Sequence, residues 1–486
     1  MKTEETDCIE TVPPSTTPGN HLSATDLRDL ITGGHLQVPT LDGTLRPYVN
    51  LDSAASTPIA RPVKETVDRF LEWYAAVHRG SGFKSQVSSL AYEQARERVA
   101  SFVGADLAER TLIFVRNATE AINRCAGRVH LDEGDVVLTT LMEHHSNILA
   151  WRKHCTQVKS VAVDDFGAPI LSDLQDHLKA HAGHVKLVAI SGGSNVTGVI
   201  PDIHAIARMV HEAGAVLLVD AAQLAPHRPI DMGRPGEQGS IDFLAMSAHK
   251  MYAPLGCGAL IGPRSAFEKG IPDLVGGGTV LFVSEEEEMW GGPPENEEAG
   301  SPNVVGAVAM AAATRFISEH LGWEWVIRHE RDLTSYALQK LNEIPGLTIY
   351  GPRDPALQQD RLGVLAFNLE KVDHQLTAAI LSHEYAIGTR TGGFCAHPYL
   401  MRLFSVSHDR IHEIRDQVSC GDRRGMPGAV RISFGFYNSR DDIDAAIAAL
   451  WDIQNGKWRG DYRQNPKSGE YRPTESKTDP AGWFEI

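Results

Sequence analysis

Lys250 stands in the run Ser247-Ala248-His249-Lys250-Met251-Tyr252-Ala253-Pro254-Leu255-Gly256, directly after an apolar stretch over 241–246. That stretch reads as a buried strand, so Lys250 would emerge at its end, on the rim of a sheet. Thirty residues upstream a second apolar run, 215–219, ends in Asp220-Ala221-Ala222-Gln223. An amine and a carboxylate delivered at two strand ends are the pair that pyridoxal 5'-phosphate chemistry requires. The amine holds the cofactor as a Schiff base, and the carboxylate keeps the pyridine nitrogen protonated so that the ring draws electrons. Taken singly, each residue has a plainer reading. A lysine after a strand is commonly a solvated loop residue, and a strand-end aspartate commonly caps a helix.

Other residues of suitable type fall at neighbouring strand ends. Ala118 and Thr119 open a helix after the strand 111–115, where backbone N–H groups and the Thr119 hydroxyl could bind a phosphate at the positive helix end. The alternative is an ordinary Asn/Thr cap. His144 follows the strand 135–139 and could stack on a pyridine ring, although a lone strand-end histidine is more often structural. Gln223 could bond the phenolic oxygen of the ring, and Ser247 and His249 could complete a phosphate cup. Asn195, in Ser194-Asn195-Val196-Thr197-Gly198, could orient a substrate carboxylate.

The elements that must position these groups alternate in kind. Strands at 111–115, 135–139, 160–163, 185–190, 215–219, 241–246 and 258–261 are separated by helices at 121–129, 148–154, 171–181 and 203–213. Alternation of this sort predicts an α/β fold, a mostly parallel sheet with helices on both faces, whose ligands bind beyond the carboxyl ends of the strands. Before it come a polar arm over 1–20 expected to be disordered, one short helix within 21–33, a short strand at 48–52, a helix at 62–77, a glycine-bounded loop at 78–85 and a long helix at 88–103. After it, a flexible glycine-rich and acidic stretch (276–294) leads to a helix at 302–319. A smaller α+β region follows, with helices at 323–342, 373–384 and 441–451 and strands at 347–350, 364–368 and 430–434. The domain limits predicted are 1–45 (arm and short helix), 46–318 (large cofactor-binding domain), 319–455 (small domain, with a loop 390–428 carrying a cysteine) and 456–486 (polar tail).

Bulk properties narrow the class. The chain has 486 residues, 42% hydrophobic and 22% charged, an ordinary globular composition. A formal net charge of −16 argues against nucleic-acid binding, and no apolar run approaches a membrane span. The N-terminus is acidic and lacks a signal-peptide core, so a cytoplasmic location is expected. Six irregularly spaced cysteines fit reduced thiols, and without a C-x-x-C pair no metal site is expected.

The motifs Met142-Glu143-His144-His145-Ser146-Asn147-Ile148, Ser194 to Gly198, Val219 to Gln223 and Ser247 to Gly256 together resemble the class V aminotransferases. Within them the chain is most similar to the cysteine desulfurase and selenocysteine lyase branch. Leu51-Asp52-Ser53-Ala54-Ala55 resembles the N-terminal motif of that branch, and His78-Arg79-Gly80 its substrate-side loop. The likeness runs in order from about 46 to 455. It implies a fold-type I homodimer binding pyridoxal 5'-phosphate, with Gly278 and Thr279 reaching the cofactor of the partner subunit. It also implies that Cys395, in Arg390-Thr391-Gly392-Gly393-Phe394-Cys395, is a nucleophile that takes sulfur from L-cysteine as a persulfide, leaving alanine. Arg431, in Val430-Arg431-Ile432-Ser433, matches the arginine that clamps the substrate carboxylate, with Arg390 and Arg79 also on the substrate side.

One departure stands out. The stretch 396–427 is longer than in the common bacterial desulfurases, and 408–427, with Cys420-Gly421-Asp422, is similar to the desulfurase-like domain of molybdenum cofactor sulfurases. The sulfur-acceptor protein is therefore not named by the sequence. Two other readings stay open. One is a lyase (a selenocysteine lyase included), epimerase or transaminase acting on a specialised amino acid, with Cys395 incidental. The other is a non-catalytic scaffold, which intact Lys250, Asp220, His144 and Arg431 disfavour.

Overall fold

A computed structural model of the chain describes residues 23–357, 360–477 and 479–485; the arm expected to be disordered over 1–20 lies outside them. Seven strands form the main sheet: β1 (Arg110–Val115), β2 (Val136–Thr140), β3 (Gln157–Val161), β4 (Val185–Ser191), β5 (Val216–Asp220), β6 (Phe243–Ser247) and β7 (Gly258–Pro263). Their spatial order is β1-β7-β6-β5-β4-β2-β3. Only β7 runs against its neighbours; the pairs from β6 across to β3 are all parallel. Parallel strands are buried on both faces, which is why they read as unbroken apolar runs. Alternate side chains feed two separate cores. Leu112, Leu138, Leu217 and Leu244 face one, and Ile113, Val137, Leu218 and Ala245 face the other. Helices α1 (Ala118–Arg128) and α2 (Ser146–His154) cover the second face, while Arg61–Trp73, Phe83–Phe102, Ile203–Glu212 and Val304–Arg315 cover the first.

A second sheet, antiparallel throughout, has the order β8-β9-β11-β10, where β8 is Leu347–Tyr350, β9 Val364–Leu369, β10 Arg390–Gly392 and β11 Ala429–Ser433. It packs with Trp323–Asn342, α3 (His374–Tyr385) and Arg440–Gln454 around its own core, including Leu338, Phe367, Ile380 and Leu450. The short strand Val49–Asn50 pairs in parallel with Ile387–Gly388, which carries Asp52 to a bridge with Ser433 at the end of β11. No helix among the described residues is long and apolar enough to cross a membrane.

Four segments differ from the sequence reading, each for a local reason. The helix expected from 88 begins at Phe83, because Gly82 ends the preceding loop earlier than its composition suggests. The stretch expected to be flexible around 276–294 contains a hairpin, Val280–Val283 paired with Glu288–Trp290. Its turn is built by Ser284, whose hydroxyl accepts the N–H groups of Glu286 and Glu287. The loop after β10 holds two helices, α4 (His397–Leu403) and α5 (His408–Ser419). Burial of Tyr399 and Leu400 against Met142 and Val196 fixes α4, and Ser407 caps α5. The polar tail folds back as well. Tyr462–Gln464 pairs with Tyr471–Pro473, and the buried Glu384 carboxylate accepts from the N–H groups of Arg459 and Gly460 and from the Tyr462 hydroxyl. A buried carboxylate needs such donors, and a long-range anchor of this kind leaves no trace in the tail's composition.

Candidate active site

Strands β5 and β6 are parallel neighbours, and each ends where its functional side chain begins. Asp220 is the last residue of β5; β6 ends at Ser247, and the single turn Ala248–Lys250 follows it. Both side chains open into a cavity of about 220 Å³ beyond the carboxyl ends of the strands. All the predicted site residues line this cavity except Thr279 and Arg79. Thr279 is buried elsewhere, its hydroxyl donating to the Gly276 carbonyl at 2.7 Å, and Arg79 is exposed on its loop.

Burial sets the electrostatics of the catalytic end. It lowers the Lys250 pKa to about 8, opposed by Asp220 and reinforced by Arg431. It raises the Asp220 carboxyl, against the pull of the Ala222 N–H, which donates to it at 3.0 Å, and of the Lys250 charge. His144 falls to about 4 through burial and through the charges of Lys250, His145 and Arg431, so its ring is neutral near pH 7. The Ser146 N–H donates to His144 Nδ1 at 3.2 Å, leaving the proton on Nε2.

At the start of α1, Asn117 caps the Glu120 N–H, and the Ala118 N–H donates to Ser247 Oγ at 2.8 Å. Among the described residues the Thr119 N–H finds no protein acceptor, and the Thr119 hydroxyl lies 2.7 Å from Ser146 Oγ. One free donor at a helix N-terminus, beside two hydroxyls, is an anion corner. Gln223 donates one amide proton to the Ala54 carbonyl at 2.7 Å, which leaves its second proton for a ligand.

The opposite wall comes from the second sheet. Arg431 in β11 lies directly across from Arg390 in β10. Its Nη2 pairs with Asp52 Oδ1 at 3.0 Å and its Nη1 donates to the Asn195 carbonyl at 3.0 Å, while its buried Nε has no partner. Arg390 Nε is 3.8 Å from the other oxygen of Asp52. The Phe394 ring sits under the Arg431 guanidinium, 5.0 Å from ring centre to Cζ. Cys395 follows, exposed at the mouth, with φ of 53° after 49° at Phe394. Two successive non-glycine residues in the left-handed region are held there by outside contacts. The Asn195 amide donates to the Phe394 carbonyl at 2.7 Å, and the His145 N–H donates to the Cys395 carbonyl at 2.6 Å.

Three contributors were not singled out from the sequence. Asp52, the counter-ion of Arg431, lay in a quoted motif but was given no role. Glu143, the residue before His144, is fully buried; its carboxylate accepts from Thr140, Asn147 and Ser191, and burial raises its pKa to about 7. The Phe394 ring completes the set. Only a charged residue within an apolar strand-end run, as at Glu143, offers a signal a sequence could have shown.

The aminotransferase class-V family model matches residues 49–446, a span that contains every residue of this cavity. The chain belongs to the class V aminotransferase family. Among curated class V relatives it is 36% identical over 422 residues to a probable cysteine desulfurase of Halalkalibacterium halodurans, covering 85% of this chain and 95% of that one. A cysteine desulfurase of Haloferax volcanii is 34% identical over 427 residues, 86% of this chain and 92% of the other. Among solved structures, an apo cysteine desulfurase from Thermococcus onnurineus superposes with a TM-score of 0.76 at 30% identity, over 90% of this chain and all of that one.

Proposed function

We propose that the chain is a pyridoxal 5'-phosphate-dependent cysteine desulfurase, converting L-cysteine to L-alanine and passing the sulfur through a persulfide on Cys395 to an acceptor protein. The observation that carries this reading is the placing of Cys395 on the same cavity as Lys250, Asp220 and Arg431. The relatives named cysteine desulfurases, over most of their length, support it. The cavity's residues fit the cofactor. A buried carboxylate, an amine with lowered pKa, a flat neutral imidazole and an unpartnered N–H at a helix start meet its ring nitrogen, aldehyde, ring face and phosphate respectively. When bound, the cofactor supplies an electron sink at the substrate α-carbon.

The chain's own residues do the rest. Lys250 would hold the cofactor through its amine, and the same amine would move a proton at the substrate α-carbon. Asp220 keeps a proton on the ring nitrogen; Ser247, His249, the Ala118–Thr119 turn and the Thr119 hydroxyl hold the phosphate. The unpartnered Nε of Arg431, with Arg390 and the Asn195 amide, receives the substrate carboxylate and so points its Cβ–S bond at Cys395. The Cys395 thiolate then attacks the substrate sulfur. The S–S bond forms as the Cβ–S bond breaks, the electron pair goes to carbon, and protonation there gives alanine. The active form is a homodimer in the cytoplasm, with the exposed Gly278 of one subunit reaching the cofactor phosphate in the other, Thr279 holding that turn through the Gly276 carbonyl, and Arg79 on the substrate side. Alanine formation from L-cysteine by the purified chain, lost in Cys395→Ala, tests the reading. Unchanged alanine formation in that variant would replace it with a lyase or transaminase reaction.

A further inference from the structure

The segment 393–397, which carries Cys395, is fastened twice by one residue of the large domain, His145, besides the Asn195 amide on the Phe394 carbonyl. His145 touches it twice: its backbone N–H donates to the Cys395 carbonyl at 2.6 Å, and its Nε2 accepts the His397 N–H at 3.1 Å. The two bonds bracket the cysteine, one on its own carbonyl and one on the amide two residues later. The rings of His145 and His397 also meet edge to face, 4.6 Å between centres. Gly393 makes room for this, since a Cβ there would lie 2.2 Å from the His397 ring. The Ala396 N–H closes the turn onto the Gly393 carbonyl at 2.8 Å.

His145 is not otherwise a ligand of the cavity. Its neighbour His144 lines the cavity wall, whereas the His145 ring points along the cysteine segment. The contact also requires one protonation state: an Nε2 that accepts the His397 N–H carries no proton of its own. Burial and the charges of His397 and Arg152 lower the His145 pKa, in keeping with a neutral ring. Phe394 and Cys395 occupy the left-handed region, so the segment would relax to another conformation if not tied. The other ties, from Asn195 and Arg431 to Phe394, come from groups that the substrate carboxylate would engage. His145 holds the segment by hydrogen bonds that the substrate would not engage, alongside the apolar packing of Ala396 and Tyr399 against Met142 and Val196.

We infer that His145 is a positioning residue that clamps the Cys395 segment over the active site, so that it governs sulfur transfer to Cys395 and not substrate binding. The inference rests on the desulfurase reading for its kinetic consequence, but its structural half does not.

Three measurements on the full chain decide it. His145→Phe keeps ring and bulk and removes the acceptor; His145→Gln restores an acceptor of similar reach. Alkylation of Cys395 by iodoacetamide, followed by mass spectrometry, should speed up about five- to tenfold in His145→Phe, the shift one lost hydrogen bond supplies, and return towards wild type in His145→Gln. In single turnovers with L-cysteine, persulfide formation should slow by a similar factor in His145→Phe, while the cysteine concentration giving half the visible spectral change stays unchanged. In the wild-type chain, which needs no variant to fold, the His397 amide should be protected from deuterium exchange. Equal alkylation rates in wild type and His145→Phe, or a His397 amide exchanging like an exposed one, would overturn the clamp. Failure of the desulfurase reading would look different: no alanine from wild type at all, with the alkylation and exchange contrasts intact.

Discussion

At the scale of single residues, the site works by burying charged groups beside partners that set their state. Lys250 is the clearest case. An amine with pKa near 8 is substantially neutral at pH values where a free lysine, near 10.4, is not. The rate at which cofactor-free chain recovers its visible absorbance on adding pyridoxal 5'-phosphate should therefore rise with pH and level off above about 8. Lys250→Ala should never recover it. A rate still climbing steeply at pH 10 would show that burial does not tune this amine. Arg431 and Asp52 form the second case. A charge-assisted hydrogen bond to a carboxylate is worth about 1.5–3 kcal/mol, so Arg431→Ala should raise KM for L-cysteine roughly tenfold or more. Asp52→Ala should also raise KM, by leaving the buried guanidinium without its counter-ion, and both variants should keep the wild-type visible spectrum. Unaltered KM in Arg431→Ala would mean that the substrate carboxylate is bound elsewhere.

At the scale of elements, most of the sheet was legible because parallel strands buried on both faces leave apolar runs, and site residues cluster at their ends. Lys250, Asp220 and His144 could be read in this way. Asp52 could not, since its role depends on Val49–Asn50 pairing with Ile387–Gly388, a contact between segments over three hundred residues apart. The helices α4 and α5 escaped for a related reason: α4 has only 7 residues, and α5 buries only Ile414, so its periodicity is weak. The folded tail hangs on Glu384, which is 2% exposed. Glu384→Ala removes the acceptor of two backbone N–H groups and a tyrosine hydroxyl. Loss of about 2–4 kcal/mol of stability is expected, read from the urea midpoint, with new proteolytic cleavage after residue 456. An unchanged midpoint together with an uncut tail would show that the strap is held by other contacts.

For the whole molecule, the exposed apolar side chains on the hairpin Val280–Val283/Glu288–Trp290, namely Leu281, Phe282, Val283 and Met289, call for cover. Light scattering should give twice the 53.1 kDa mass of one chain, and Leu281→Glu with Phe282→Glu should shift it towards one chain. A wild-type mass of one chain would remove the homodimer from the account. The central claim is that Cys395 accepts sulfur directly from L-cysteine in a cavity built by both sheets. The most direct measurement incubates the purified holoenzyme with sulfur-labelled L-cysteine, traps thiols by alkylation and locates the label by mass spectrometry. The account predicts one added sulfur on Cys395, none on the exposed Cys420, and one alanine for each persulfide formed in the first turnover. Alanine released at the wild-type rate with no label on Cys395, or the label found first on Cys420, would contradict it.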